Sequence, residues 1–165
     1  LYNYGGVYLD TDVELLKKPD FLLENQCYIG IQQPESLCTT GLGFGAQKSS
    51  PVVQKMMECY DSISFTDQKK STFACPWLND KVIRSFGKVS NEDITYLKEV
   101  TVYPPRFFDP LSTGNTKNLL CDETVSIHHY AATWAGNKQR WKRKLIRFFG
   151  EDRYFKLKKL FRRVQ

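Results

Sequence analysis

Two carboxylates one residue apart, Asp10 and Asp12, are the residues of this 165-residue chain best suited to chemistry. They follow the short apolar run Val7-Tyr8-Leu9, which has the composition of a β-strand. Two carboxylates on so small a patch repel each other unless a cation lies between them, and oxygen ligands suit hard divalent metals. The pattern therefore predicts a site for manganese or magnesium at a strand end, where open α/β sheets bind their ligands.

Three other interpretations of this acidic pair depend on the residues around it. An EF-hand calcium loop requires Gly and Glu at the positions that Leu15 and Phe21 occupy, so it is disfavoured. A HAD-like aspartyl-phosphate phosphatase also places D-x-D after a strand, but its pattern calls for Thr or Val where Glu14 stands. The simplest alternative is that the two acids only cap a turn.

Two adjacent histidines, His128 and His129, are a second candidate for metal chemistry. They close a strand that we expect over residues 124–129. Imidazole nitrogen suits manganese alongside carboxylate oxygen, so one histidine could complete a ligand set that the aspartates begin. Because neighbouring side chains of a strand point to opposite faces, we expect the other histidine to have a structural role.

Strands that alternate with helices surround these candidates and predict an α/β sandwich. A buried strand is expected over Cys27–Ile31, and a helix should begin at Ser50-Pro51, with Ser as its cap. A second helix is expected over 76–86 and another strand over 99–103. Glycines at every second position predict a segment that packs closely against backbone or ligand: Gly41, Gly43 and Gly45.

The composition suits one folded domain without a membrane span. Of the residues 41% are hydrophobic and 14% aromatic, which argues against disorder. No run of about eighteen apolar residues occurs in the sequence. The five cysteines are scattered without a C-x-x-C pair, which favours reduced, partly core-filling thiols in a cytoplasmic protein over a zinc site or a disulfide framework.

Charge divides the chain into residues 1–137 and residues 138–165. The second part holds twelve of the 24 Lys and Arg residues but only two of the 18 acidic residues. Its segments 141–149 and 154–164 have the spacing of amphipathic helices, so we expect a basic tail that lies on an anionic membrane surface. A solvated basic face that covers the domain is the alternative. Nucleic-acid binding is disfavoured because the first part is mildly acidic and no recognition motif occurs.

Four segments taken together resemble glycosyltransferase family 32, which has a DXD sugar-binding region and includes bacterial capsular and lipooligosaccharide transferases and yeast initiating mannosyltransferases. The segments are LYNYGGVYLDTDVELLKKPDFLL, GLGFGAQKSSPVVQKMMECY, VTVYPPRFFDP and SIHHYAATW. They keep the order found in the family over Leu1 to about Arg147. The chain starts inside the family's first motif, so we expect the part that holds the nucleotide base to lie outside it.

The resemblance implies a GT-A-type sandwich around a mixed sheet and a metal-dependent, retaining hexosyltransferase. Its donor is a nucleotide-sugar, and a UDP-hexose is the expected choice. Asp10 and Asp12 are then the catalytic pair, and both bind the metal. His128 is the implied third metal ligand, with His129 as the alternative.

The resemblance also implies contacts to the donor and a place in the cell. Polar residues of the helix after Cys75 are implied to contact the sugar, with a solvated helix face as the alternative: Asn79 and Asp80. The acceptor is implied to be a growing polysaccharide or lipid-linked oligosaccharide, so the basic tail would attach the enzyme to the inner face of the membrane. The implied donor contacts are Gly5, Gly6, Tyr8, Asp10, Thr133 and Trp134.

Overall fold

Short strands alternate with helices along the chain. The structure is a computed structural model, and it describes residues 1–33, 35–61, 74–112 and 117–131. The strands are β1 (Gly6–Tyr8), β2 (Val13–Leu15), β3 (Cys27–Ile31), β4 (Cys38–Ala46), β5 (Thr95–Tyr96), β6 (Thr101–Tyr103) and β7 (Ser126–His128). The helices are α1 (Pro51–Asp61), α2 (Cys75–Arg84) and α3 (Pro105–Phe108), with a 3-10 helix at Asp20–Glu24.

Within the described residues the strands form one larger and one smaller sheet. The larger sheet has five strands in the order β1-β4-β3-β6-β5. β3 and β6 run parallel in it, whereas the other neighbouring strands are antiparallel. The smaller sheet consists of β2 and β7, which pair antiparallel.

Apolar side chains pack on both faces of the larger sheet, because consecutive residues of β3 point to opposite sides. Ile29 lies in a buried cluster with residues of α1 and α2 that include Val52 and Ile83. Its neighbour Tyr28 lies in a second cluster that includes Tyr103 and Phe108. The predicted α/β class is confirmed, and the mixed sheet is compatible with a GT-A-like fold.

Most predicted elements are present, although several ends differ. The strand predicted over Cys27–Ile31 coincides with β3, and α1 begins at Pro51, as its Ser-Pro start predicted. α2 ends two residues earlier than expected, and β6 and β7 are shorter than their predicted strands. β2, β5, α3 and the 3-10 helix were not predicted from the sequence, because elements this short show little periodicity of their own.

The segment with alternating glycines forms strand β4, and its expected close packing is confirmed. A Cβ atom on Gly41 would lie 2.5 Å from Asp10 Oδ2, and one on Gly45 would overlap the Tyr28 ring. Because these glycines have no side chain, β4 can lie close to Tyr28 of β3 and to Asp10.

Some predictions fall on residues outside the described ranges. Thr133, Trp134 and the basic tail over 138–165 belong to this group, so the division at residue 137 stays a prediction. None of the helices in the described ranges has the length and apolar character needed to cross a membrane.

Candidate metal and donor site

Asp10, Asp12 and His128, hereafter the metal group, meet at one point of the structure. His128 Nε2 lies 3.1 Å from Asp12 Oδ1 and 3.5 Å from Asp10 Oδ2. One potential ligand atom from each of the three side chains lies within 4.8 Å of the other two. Among the described residues, these side chains are the ones whose arrangement could hold a metal ion.

Pairing of β2 with β7 brings the histidine to the aspartates. Val13 lies opposite His128 in this register, and Asp12 directly precedes Val13. The Asp12 backbone carbonyl accepts the His129 N–H at 2.9 Å, and Asp12 Oδ2 accepts the Ala131 N–H at 2.7 Å. These bonds extend the pairing past the strand ends and orient the Asp12 carboxylate with Oδ1 toward His128.

Asp10 is held by residues of β1 and β4. Its backbone N–H donates to the Gly41 carbonyl at 3.1 Å, and the Tyr8 hydroxyl donates to Asp10 Oδ1 at 2.8 Å. The second oxygen, Oδ2, faces His128 and lies against Gly41. The bond to Asp10, together with partial burial, raises the pKa of Tyr8 above its usual value, so the phenol remains a donor near neutral pH.

The environment of the His128 ring is suited to a residue that binds a metal ion. Its side chain is 11% exposed, its Nε2 faces the two carboxylates, and its Nδ1 makes no hydrogen bond to the described part of the chain. A buried polar nitrogen without a hydrogen-bond partner costs free energy unless another group satisfies it. Two carboxylates and one imidazole form a donor set that manganese accepts, so the residues of the metal group fit a divalent cation.

His129 lies apart from the metal group and contacts Glu14. His129 Nε2 is 2.8 Å from Glu14 Oε2, and both side chains are largely exposed to solvent. Because Glu14 belongs to β2, this contact ties the end of β7 to the same strand that Asp12 precedes. The structure thus separates the two neighbouring histidines, as expected for adjacent residues of an extended chain.

Asp109 was not among the predicted site residues, but it bonds to Tyr130, whose ring packs against His128. Asp109 is completely buried, and its Oδ2 accepts the Gln33 N–H and the Tyr130 hydroxyl, each at 2.8 Å. Burial raises the pKa of Asp109, although the hydrogen bonds from Gln33, Tyr130 and Ser112 oppose the shift. Burial and the Asp109 charge raise the pKa of Tyr130. A single Asp between Phe108 and a proline, and a Tyr directly after the histidines, are the signals that could have indicated this pair.

Asp80, one of the two residues expected to contact the sugar, makes structural contacts on α2. Its Oδ1 accepts the Cys38 N–H at 2.9 Å, and its Oδ2 accepts Arg84 Nε at 2.8 Å. The alternative of a solvated helix face is wrong for this pair, because Asn79 and Asp80 are 3% and 9% exposed. Asp80 therefore anchors α2 to β4, and its contact to a sugar stays a prediction.

Asn79, the other residue expected to contact the sugar, bonds to side chains of α2 and β4. Its amide donates to Cys75 Sγ at 2.9 Å and lies 3.3 Å from Thr40 Oγ1. Thr40 directly precedes Gly41, which contacts Asp10. Asn79 thus ties α2 to β4 at Thr40, and its contact to a sugar also stays a prediction.

Gly5 and Gly6, two of the implied donor contacts, lie at the opposite end of β1 from Asp10. They line a cavity of about 260 Å³ together with Tyr28 and Lys48. None of the residues that line this cavity belongs to the metal group. The structure therefore does not bring these two glycines together with the aspartates and the histidine.

Comparison with known proteins finds a family match for the segment that contains the two aspartates. Residues 1–29 match a family model described as glycosyltransferase sugar-binding region containing DXD motif. The matched region contains Asp10 and Asp12 but ends well before His128. No curated protein and no solved structure matches the chain. The match supports a glycosyltransferase-like family, and D-x-D families of this kind typically bind a divalent metal.

Proposed function

We propose that this protein is a metal-dependent, retaining glycosyltransferase of family 32 with GT-A architecture. It transfers a hexose from a nucleotide-sugar, a UDP-hexose, to a growing polysaccharide or lipid-linked oligosaccharide. The observation that carries the proposal is the convergence of His128 on Asp10 and Asp12. This convergence adds a third metal-ligand atom, from a distant part of the chain, to the acidic pair of the matched region.

The metal group would hold manganese or magnesium through one atom of each side chain. When bound, such a cation supplies positive charge to the donor diphosphate, whose negative charge grows as the bond to the sugar breaks. Asp12 and Asp10 each already have one oxygen in a hydrogen bond, to Ala131 and to Tyr8. The other oxygen of each carboxylate faces His128, so the ligand atoms are ordered before a donor binds.

In this proposal, the transfer of the sugar to the acceptor requires no side chain that gives or takes a proton. The acceptor hydroxyl attacks the sugar on the face that the nucleotide leaves, and its proton passes to an oxygen of the departing phosphate. We therefore assign no side chain as general base. The protein instead positions the two substrates and excludes water, which can supply much of the rate enhancement.

The proposed donor contacts extend beyond the metal group. Tyr8 has direct support from its bond to Asp10, whereas Gly5 and Gly6 would contact a more distant part of the donor. Thr133 and Trp134 lie outside the described residues, and their role is proposed from the sequence resemblance. Their contacts to the donor remain proposals.

The acceptor and the location are proposed from the charge of the chain. The basic segment 138–165 would bind the anionic inner face of the membrane, where lipid-linked acceptors are found. The two alternatives, a HAD-like phosphatase and a non-enzymatic basic module, have no comparable support. In particular, position 14, where the phosphatase pattern calls for Thr or Val, holds a glutamate that contacts His129.

Calorimetric titration of UDP into the full-length protein, with and without Mn²⁺, tests the proposal. UDP should bind when Mn²⁺ is present, and Asp12→Asn should weaken this binding at least about tenfold, because it removes one charged metal ligand. Asp20→Asn is the matched control, since it removes the same charge from an exposed residue of the 3-10 helix and should leave the affinity unchanged. A folded sample that binds neither UDP nor GDP with either metal would overturn the proposal.

A further inference from the structure

Tyr130 lies directly against His128 and has no role in the reaction proposed above. The two rings pack edge to face, with their centroids 4.1 Å apart and their planes at 76°. His128 Nε2 faces the aspartates, whereas Nδ1 makes no hydrogen bond to the described residues. Metal-binding histidines are usually oriented by a hydrogen bond from the second ring nitrogen. For His128, the described residues instead supply the ring contact with Tyr130.

The backbone of Tyr130 also acts on Asp12. Tyr130 has a φ of 51°, in the left-handed region that residues other than glycine rarely adopt. This conformation turns the chain between His129 and Ala131, so that both of their N–H groups reach Asp12. One residue thus contacts the ring of one metal ligand and shapes the turn that holds another.

A rigid base supports Tyr130. Its hydroxyl donates to Asp109 Oδ2 at 2.8 Å, and Asp109 is completely buried. The Gln33 N–H donates to the same oxygen at 2.8 Å, and the Gln33 amide donates to the backbone carbonyls of Asp109 and Lys117 at 2.9 and 3.0 Å. Asp109 is therefore held by both its side chain and its backbone, and it provides a fixed point for the phenol.

We propose that Tyr130 is a positioning residue for the metal group. Its bond to Asp109 fixes the ring against which His128 packs, and keeps the left-handed turn that aims the Ala131 N–H at Asp12. The inference rests on the proposed function, because it requires that Asp10, Asp12 and His128 bind a divalent metal. It assigns a role to Tyr130 and Asp109 that neither the D-x-D motif nor the histidine pair contains.

Mn²⁺ binding to Tyr130→Phe tests this role. The substitution keeps the ring and removes only the hydroxyl that binds Asp109. Tyr103→Phe is the matched control, because Tyr103 is a buried tyrosine whose hydroxyl accepts one side-chain hydrogen bond, from Asn25 at 3.2 Å, outside the metal group. The Tyr130 hydroxyl also contacts Ser112, so Tyr130→Phe can lose more stability than the control, and Mn²⁺ affinity is compared between samples that are shown to be folded. Mn²⁺ alone is titrated, and free Mn²⁺ is measured by its electron paramagnetic resonance signal.

We expect Tyr130→Phe to weaken Mn²⁺ binding roughly tenfold, and Tyr103→Phe to bind as the wild type does. Pulsed resonance spectra should show ¹⁴N coupling from a bound imidazole in the wild type and the control, and weaker coupling in Tyr130→Phe. Asp109→Asn, which weakens the acceptor of the phenol, should behave like Tyr130→Phe. Melting curves confirm that each variant is folded.

Two outcomes would overturn the inference, and one of them would also overturn the proposed function. If the wild type binds Mn²⁺ with ¹⁴N coupling and Tyr130→Phe binds it equally well, Tyr130 has no positioning role and the proposed function stands. If the wild type binds no Mn²⁺, the metal group itself fails, and both the inference and the proposed function are overturned.

Discussion

Gly41 both binds Asp10 and leaves room for it. The Gly41 carbonyl accepts the Asp10 N–H at 3.1 Å, while a Cβ atom on Gly41 would lie 2.5 Å from Asp10 Oδ2. No methyl group fits at that distance from an oxygen. The position of the first aspartate therefore depends on a residue of β4 that has no side chain.

Gly41→Ala should displace the Asp10 carboxylate with little effect on the fold. Gly41 has no left-handed φ, so alanine can adopt its backbone conformation, and the atoms that must move are the end of a flexible side chain. We expect Mn²⁺ affinity to fall about tenfold, measured by calorimetry, with a melting temperature close to that of the wild type.

An unchanged Mn²⁺ affinity in folded Gly41→Ala would show that Asp10 Oδ2 is not a metal ligand. Thr40→Ala is a suitable control for the neighbouring position. It removes a hydroxyl near Asn79 without placing an atom against Asp10, so its Mn²⁺ affinity should match the wild type.

His128→Ala and His129→Ala should differ strongly in metal binding, although the two residues are adjacent. His128 Nε2 lies near both aspartates, whereas His129 contacts Glu14 at the protein surface. We expect His128→Ala to lower Mn²⁺ affinity at least about tenfold and His129→Ala to change it less than about threefold. Calorimetry on both variants measures this, and the reverse order of effects would make His129 the metal ligand.

Asp80→Ala should destabilise the fold. The substitution leaves the buried Cys38 N–H without its acceptor and removes the partner of Arg84. We expect the free energy of unfolding to fall by about 1–3 kcal/mol, measured by urea denaturation. Lys98→Ala, which breaks an exposed ion pair with Glu99, should change it by less than about 0.5 kcal/mol. An Asp80→Ala protein as stable as the wild type would refute the anchoring role.

Stability should fall at alkaline pH because of buried thiols. Burial raises the pKa of Cys27 from 9.0 to about 12, and that of Cys38 likewise to about 12. At a pH between about 9 and about 12, these thiols lose their protons in the unfolded chain but keep them in the folded protein. The free energy of unfolding therefore decreases as the pH rises through this range.

Urea denaturation at several pH values measures this slope. Each thiol contributes up to about 1.4 kcal/mol per pH unit within the window, and Cys27→Ala should reduce the slope relative to the wild type. The variant will also lose some stability at neutral pH through the smaller side chain, so the comparison concerns the slope alone. Equal slopes would contradict the assignment to Cys27.

The basic segment 138–165 should bind anionic vesicles. Its twelve Lys and Arg residues predict binding to phosphatidylglycerol vesicles that weakens as salt increases, measured by co-sedimentation. A variant with Gln in place of four of these basic residues should bind several-fold more weakly, whereas four such changes before residue 138 should have a smaller effect. Tighter binding to single-stranded oligonucleotides than to vesicles would favour a nucleic-acid role instead.

Several features could be predicted from short windows of sequence. The D-x-D acids, the paired histidines, the strand Cys27–Ile31 and the start of α1 at Pro51 all depend on residue types within a few positions of one another. Their physical causes are local: carboxylate repulsion, alternation along a strand, and the fixed φ of proline. The same local view could not show that Asn79 and Asp80 are buried, because burial depends on what packs against the helix.

Residue types and spacing show which groups are available for chemistry, but contacts between distant segments establish which of these groups meet. Pairing of two three-residue strands sets His128, and not His129, beside Asp12. The support from Asp109 and the space at Gly41 likewise come from distant segments. Such contacts depend on the packing free energy of the whole domain. A short stretch of residues contributes only a small part of this free energy, so it does not show which distant segments will pack together.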